Sequence, residues 1–118
     1  MKYLLVLSLV TSLLLSAELT PKSMIETSGN VQQITLVEGK IIAGTSVGTV
    51  ETYKLSDTSK LSLFQFPKIK DFTGDDVAPK VFSVDMVGNS LLAVVQASNG
   101  ARELYTIENG KSQVLIDA

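Results

Sequence analysis

The sequence predicts an all-β protein built from two copies of one four-stranded antiparallel unit. Short runs of residues alternate between apolar and polar side chains, as half-buried strands do. Turn dipeptides such as Glu38-Gly39 and Asn109-Gly110 separate these runs at the spacing of tight hairpins. The pattern of residues 31–55 also returns from Val81 onward, at an offset of 50 residues that becomes 52 after the second turn. These three observations define the fold class.

Each unit is predicted to contain four strands in up-and-down order. The strands cover residues 31–37, 40–46, 49–55 and 60–66 in the first unit, and residues 81–87, 90–96, 102–107 and 112–117 in the second. Gly44 lies inside the second strand, where a glycine is expected only if another side chain or backbone comes close. Pro67 ends the fourth strand because proline has no N–H to donate to the sheet.

The fourth strand, KLSLFQF, is unusually apolar for a strand at the edge of a sheet. Leu61 and Leu63 lie on one face of it, while Phe64 and Phe66 lie on the other. Because natural sheets avoid exposing apolar edges, we expect both faces of this strand to be covered. A partner that binds this edge is the alternative.

Residues 1–17 have the features of a secretory signal peptide and are expected to form the only helix. Lys2 supplies the charged start, Tyr3–Leu15 form the apolar core, and Ser16-Ala17 place small residues at the cleavage point. An uncleaved anchor is the alternative, although the run is shorter than the about 20 apolar residues of a membrane span. We therefore expect export, with residues 18–30 forming a polar leader to the first strand.

The repeat period indicates the blades of a propeller. Units of about 50 residues with several strands each are typical of propeller blades, and Gly48 followed by Tyr53-Lys54-Leu55 matches the third strand of a WD40-like blade. We therefore predict a WD40-like β-propeller architecture, with residues 31–66 as the first blade and residues 81–118 as the second. Propellers typically contain about four to eight blades. Three explanations therefore remain open: part of a longer protein, assembly with further copies, or an open two-sheet sandwich.

The connector between the two units, residues 67–80, is the candidate binding site. Insertions in repeat proteins tend to map to loops on one face, which is often the binding face. We expect Phe72 to be either the apolar centre of an interface with a charged rim or a plug between the two sheets. The charged rim would consist of Lys68, Lys70, Asp71, Asp75 and Asp76.

The composition excludes several kinds of catalytic and metal site within these residues. The chain contains no His and no Cys, which rules out a Ser-His-Asp triad, a thiolate nucleophile, covalent haem attachment and Cys/His zinc sites. The aspartates of the connector offer oxygen ligands, but their spacing does not match a calcium loop. The formal net charge of −2 argues against nucleic acid and anionic membranes as partners. We expect no metal, no cofactor and no enzymatic activity.

Four segments of the chain together resemble one known family. They are the signal segment, VEGKIIAGTSVGTVETYKL, PKIKDFTGDDVAPKVFSVD and LYTIENGK. They are similar to NapL, the WD40-like propeller family encoded with the periplasmic nitrate reductase of ε-proteobacteria. The resemblance covers residues 1–118 and implies a periplasmic, non-catalytic accessory that binds a nitrate reductase component through propeller loops. The family has no assigned catalytic residues. A fragment of a quinoprotein-like propeller enzyme or cofactor-binding protein is the alternative, although the absence of Trp argues against it.

Overall fold

The computed structural model describes residues 24–117, and every regular element within that range is a β-strand. The expected signal peptide and the first part of the leader lie outside the described residues. In the part of the chain that the structure describes, no helix could cross a membrane. The all-β fold class predicted from the sequence is confirmed for residues 24–117.

Two four-stranded antiparallel sheets contain most of the strands. The first sheet consists of β1 (Val31–Val37), β2 (Lys40–Thr45), β3 (Thr49–Lys54) and β4 (Lys60–Gln65). The connector then forms β5 (Ile69–Lys70) and β6 (Asp76–Val77). The second sheet consists of β7 (Val81–Val87), β8 (Ser90–Gln96), β9 (Arg102–Glu108) and β10 (Lys111–Ile116). The eight strands predicted from the sequence are present, whereas β5 and β6 were not expected.

The two sheets repeat the same strand register. Ile34 pairs with Ala43 in the first sheet, and Val84 pairs with Ala93 in the second. Both sheets also have an irregularity at the same place, between residues 31 and 33 and between residues 81 and 83. A bulge at an equivalent position is a structural feature rather than a defect of pairing. The internal repeat therefore extends from the sequence to the geometry of the strands.

The tight turns have the backbone conformations that their sequences predict. Glu38 and Gly39 have φ angles of 49° and 74°, and Asn109 and Gly110 have φ angles of 52° and 74°. Two consecutive residues with positive φ form the type of turn whose twist matches that of the adjoining strands. The sequence therefore fixes the register of β1 with β2 and of β9 with β10 locally.

The two sheets are stacked so that non-equivalent faces of the repeat are in contact. The two repeats therefore have the same orientation along the stack. The inner face of the first sheet carries Ile42 and Val50, which pack against Val81 and Val84 of β7. The inner face of the second sheet is completed by residues of β8 and β9, namely Leu91, Ala93, Val95 and Ile107. Because Val84 is the repeat equivalent of Ile34, the second sheet buries the face that the first sheet leaves outermost.

Gly44 allows the close approach of the two sheets. A Cβ atom at this position would lie 2.7 Å from Cγ1 of Val81 and 3.0 Å from Cγ1 of Val84. Real Cβ atoms essentially never show a contact as short as the one with Val81, and the one with Val84 is also unusually tight. The expectation that another side chain approaches Gly44 is confirmed, and that side chain comes from the other repeat.

Two hydrogen bonds join β1 to the free edge of β7. The hydroxyl group of Thr35 donates to the carbonyl oxygen of Val84 at 2.8 Å, and the N–H of Val84 donates to Oε1 of Gln33 at 2.8 Å. Side chains of the first sheet thus satisfy both backbone groups of one residue at the edge of the second. These two hydrogen bonds fix the offset between the sheets along the direction of the strands.

The expectation that both faces of β4 are covered is wrong. Phe66, just after the strand, is buried and meets Tyr105 edge to face at 5.1 Å between ring centroids. Leu61 and Leu63 on the other face are 50% and 46% exposed. The second sheet covers one face of the first only, so the strand has a buried face and an open one.

Candidate functional site

The connector is a short β-hairpin rather than an irregular loop. Ile69 pairs with Val77 and Lys70 pairs with Asp76, so that residues 71–75 form the tip. Oδ1 of Asp76 lies 2.8 Å from Nζ of Lys70. Pro79 at the end of the connector is fully buried, close to Gly48. The hairpin is therefore closed at its base and anchored to the first sheet.

Asp71 holds the tip of the hairpin in one conformation. Its Oδ1 accepts hydrogen bonds from the backbone N–H and the hydroxyl group of Thr73, at 2.9 and 2.6 Å. The same oxygen accepts the N–H of Asp75 at 3.0 Å, while the Asp71 N–H donates to the carbonyl oxygen of Asp75. The hydrogen bonds from Thr73 and Asp75 hold the pKa of Asp71 below its ordinary value.

Phe72 projects from the tip into solvent. Its side chain is 91% exposed, the highest exposure among the large hydrophobic residues of the described range. The ring passes close to Gly100, in the turn between β8 and β9. The reading of Phe72 as a plug between the sheets is wrong, because the hairpin carries the ring away from the sheet contact. The alternative, an exposed apolar centre, agrees with this position.

The charged residues predicted to surround Phe72 are distributed along the hairpin. Asp71 and Asp75 lie at the tip, and Lys70 and Asp76 form an exposed ion pair one step below it. Lys68 is exposed before β5 begins. The structure thus brings five of the six predicted site residues onto one hairpin, and it places Lys68 at the base.

Within residues 24–117, no group of three or more acidic side chains is arranged to hold a metal ion. The carboxylate of Asp71 uses its oxygen to fix the backbone of the tip. The hairpin presents the exposed ring of Phe72 together with the Lys70–Asp76 ion pair.

A buried carboxylate that the sequence analysis did not single out lies on the outer face of the first sheet. The Glu51 side chain is fully buried, and its Oε2 accepts hydrogen bonds from the Thr49 hydroxyl at 2.6 Å and the Ser28 N–H at 3.1 Å. Its Oε1 accepts the Tyr53 hydroxyl at 2.5 Å and lies 3.6 Å from Nζ of Lys60. The leader is thereby joined to β3.

Burial and hydrogen bonding shift the pKa of Glu51 in opposite directions. Burial by itself raises the pKa of the carboxyl group, but the hydrogen bonds from Thr49, Tyr53 and Ser28 together outweigh it and lower the pKa to about 2. Burial also raises the pKa of Tyr53 to about 12, helped by the negative charge of Glu51. At neutral pH the Glu51 carboxylate is therefore charged, the Tyr53 phenol is neutral, and the hydrogen bonds between them and their neighbours are satisfied.

A signal for this network exists in the repeat. Glu51 and Tyr53 are separated by one residue, as are Glu103 and Tyr105 at the equivalent place in β9. The hydroxyl group of Tyr105 lies 3.4 Å from Oε1 of Glu103, so the second copy is looser. Two alternating residues share one face of a strand, and their repetition at the offset of the units could have indicated the pair.

Comparison with known proteins gives no relative. No family model matches the chain, and neither a curated protein nor a solved structure matches it significantly. The resemblance to NapL therefore stays a prediction from the sequence.

Proposed function

We propose that the protein is a non-catalytic binding scaffold that contacts a partner protein through the hairpin of residues 69–77. The observation that carries this proposal is the exposure of Phe72 at a tip whose backbone Asp71 fixes. Aromatic residues are enriched among those that dominate binding energy at interfaces.

The hydrogen bonds of the tip favour binding because they reduce the entropy lost on association. A segment that already has its bound conformation does not need to be ordered by the partner. The carboxylates of Asp71 and Asp75 and the Lys70–Asp76 ion pair surround the ring with polar groups. An apolar centre with a polar rim is the common composition of protein interfaces.

We further propose that the two sheets are blades of a WD40-like propeller. The same strand order, the same register and the stacking of unlike faces support this arrangement. In a stack of this kind, the connectors between blades lie on the surface, where repeat insertions often form the binding face. The hairpin is such a connector.

The identity of the partner in this proposal comes from the resemblance to NapL. It supports export by a cleavable signal peptide to the periplasm, and a role as an accessory of nitrate respiration that binds a nitrate reductase component. The low net charge and the acidic side chains of the tip fit a protein partner better than a nucleic acid.

The proposal is tested by measuring the binding of the exported protein to purified periplasmic nitrate reductase components. Phe72→Ala should weaken the interaction at least about tenfold, as the loss of a central aromatic contact does. Val87→Ala is the matched control, because Val87 is a 63% exposed apolar side chain at the other end of the second sheet. Both variants should melt like the wild type.

Two results would contradict the proposal. Equal binding by the wild type and a folded Phe72→Ala variant would remove the hairpin from the interface. Failure of the wild-type protein to bind any nitrate reductase component would remove the assignment of the partner.

A further inference from the structure

The outer face of the first sheet is an open copy of a face that is buried in the second sheet. Val31 and Ile34 are 46% and 57% exposed, whereas their repeat equivalents Val81 and Val84 are 0% and 5% exposed. Leu36, the equivalent of Met86, is also exposed. The open part of this outer face consists of Val31, Ile34 and Leu36. It borders a cleft of about 300 Å³ that Ile41, Ala43 and Tyr53 also line.

We propose that this face binds a β-meander of a partner, one that has a glycine in its second strand and hydrogen-bonding side chains on its first. The chemistry of the occupant follows from what covers the equivalent face in the second sheet. There, Gly44 of β2 gives room for Val81 and Val84, and Gln33 and Thr35 of β1 bind both backbone groups of Val84. A meander with these features would pack against Val31 and Ile34 as the first sheet packs against Val81 and Val84.

The backbone of β1 has the groups that this contact requires. β1 is an edge strand, and Ile34 pairs with Ala43 in the register in which Val84 pairs with Ala93. The N–H and C=O of Val84 point away from β8, since both bind side chains of the first sheet. By the same register, the N–H and C=O of Ile34 point away from β2 toward an occupant of the open face.

A second copy of this chain does not supply the required face. The outer face of its second sheet carries Ser83, Asp85 and Val94 at the positions equivalent to Gln33, Thr35 and Gly44. Ser83 is too short to reach as Gln33 does, and Asp85 brings a charge that cannot donate a hydrogen bond to a carbonyl oxygen. Val94 fills the space that the contact needs. The inner face of the first sheet has the right residues, but the second sheet already covers it.

The described part of the leader, residues 24–30, covers one end of the open face. Ser28 binds Glu51, and Ile25 and Thr27 line the cleft beside Tyr53. Ile34 and Leu36 remain exposed toward the turn between β1 and β2.

The experiment supplies an occupant of this chemistry by duplication. Residues 31–80 are inserted a second time directly before Val31, so that Lys80 precedes Val31 as it precedes Val81 in the natural chain. Hydrogen exchange then reports the protection of the Ile34 N–H, which should exchange at least about tenfold more slowly in the duplicate, because Gln33 of the added copy accepts it. A control duplicate has Gln33→Ala, Thr35→Ala and Gly44→Ala in the added copy alone, and it should exchange at the parental rate.

The results distinguish a partner's meander from a second copy of the chain as the occupant. This proposal does not depend on the role of the hairpin. Rapid exchange of the Ile34 N–H in a duplicate whose added strands are folded would overturn it. Sedimentation of the parental chain gives a second test that does not require the duplicate to fold. Association that both Ile34→Lys and Val94→Lys abolish would make a second copy the occupant and overturn the proposal. Identical sedimentation of the parental chain and Ile34→Lys supports it only by excluding a second copy as the occupant.

Discussion

The hydroxyl group of Tyr53 donates a hydrogen bond of 2.5 Å to Oε1 of Glu51, two positions away on the same strand. Both side chains are buried on the outer face of the first sheet, and Ser28 and Thr49 bind the other carboxylate oxygen. This cluster joins the leader to the sheet. It also shifts the pKa values of both Glu51 and Tyr53, so the stability of this cluster depends on pH.

Replacing Glu51 by Gln should lower the free energy of unfolding by about 2 kcal/mol, because the amide group cannot accept on both sides and leaves a buried donor unpaired. Urea unfolding measures this change. Glu103→Gln is the matched control, since Glu103 is partly exposed and its contact with Tyr105 is long. Equal effects of the two substitutions would contradict the assigned role of Glu51.

Stability should fall in acid because of the same carboxyl group. Its pKa is lowered from 4.5 to about 2 in the folded protein, so its contribution is complete above pH 4.5 and is lost as the pH falls toward 2. The loss is at most about 3 kcal/mol. Urea unfolding between pH 6 and pH 2 should show this decrease in the wild type, and a smaller one in Glu51→Gln. Parallel plots of unfolding free energy against pH for the two proteins would contradict the prediction.

Alkaline conditions should weaken the same cluster. The pKa of Tyr53 is raised from 10.0 to about 12, so the contribution of the neutral phenol is complete below pH 10 and is lost as the pH rises toward 12. Ultraviolet titration of the phenols detects this group as a late step. Tyr53→Phe should remove that step, whereas Tyr105→Phe should leave it in place.

Replacing Gly44 by Ala should destabilise the stacking of the sheets by about 1–3 kcal/mol, the usual cost of overpacking. The added methyl group would lie 2.7 Å from Cγ1 of Val81, closer than real Cβ atoms come, and 3.0 Å from Cγ1 of Val84. Thermal unfolding measures the loss. Val81→Ala makes room for the methyl group, so the double variant should lose less than the sum of the single variants. Additive losses would show that the two residues do not compete for space.

Thr35→Val should cost about 1 kcal/mol, because it leaves the carbonyl oxygen of Val84 without its donor while keeping the side-chain volume. Chemical unfolding gives the value. Gln32→Ala is the control, since Gln32 is exposed on the same strand. No loss in Thr35→Val would mean that water replaces the hydroxyl group at the edge of β7.

Asp71→Ala should loosen the tip of the hairpin without unfolding the protein. Three hydrogen-bond donors lose their acceptor at once. Hydrogen exchange at the N–H groups of Thr73 and Asp75 should become faster, while exchange in the two sheets stays unchanged. Partner binding should weaken less than in Phe72→Ala, because the ring itself remains.

The strands could be predicted from the sequence because each depends on local information. Glu38-Gly39 and Asn109-Gly110 fix the turns, and Gly44 indicated a close contact before its neighbour was known. The position of Phe72 could not be predicted in this way. Whether its ring is buried or exposed depends on the direction of a hairpin whose ladder contains only two pairs, too short to produce a visible period.

Long-range contacts explain the other differences between expectation and structure. The burial of Glu51 depends on Ser28, which lies 23 residues earlier in the chain. The exposure of Leu61 and Leu63 depends on which face of the first sheet the second one covers. Alternation along a strand predicts two faces, but it does not show which of them has a neighbour.

Because strand pairs close the base of the hairpin, the residues of its tip and the residues of the sheets are under different evolutionary constraints. Pairing of Ile69 with Val77 and of Lys70 with Asp76 keeps the ends of the tip together, whatever residues lie between them. Mutation can therefore change residues 71–75 without shifting the strands on either side. Selection for a new partner and selection for a stable fold act on different residues, so the tip can diversify while the sheets are conserved.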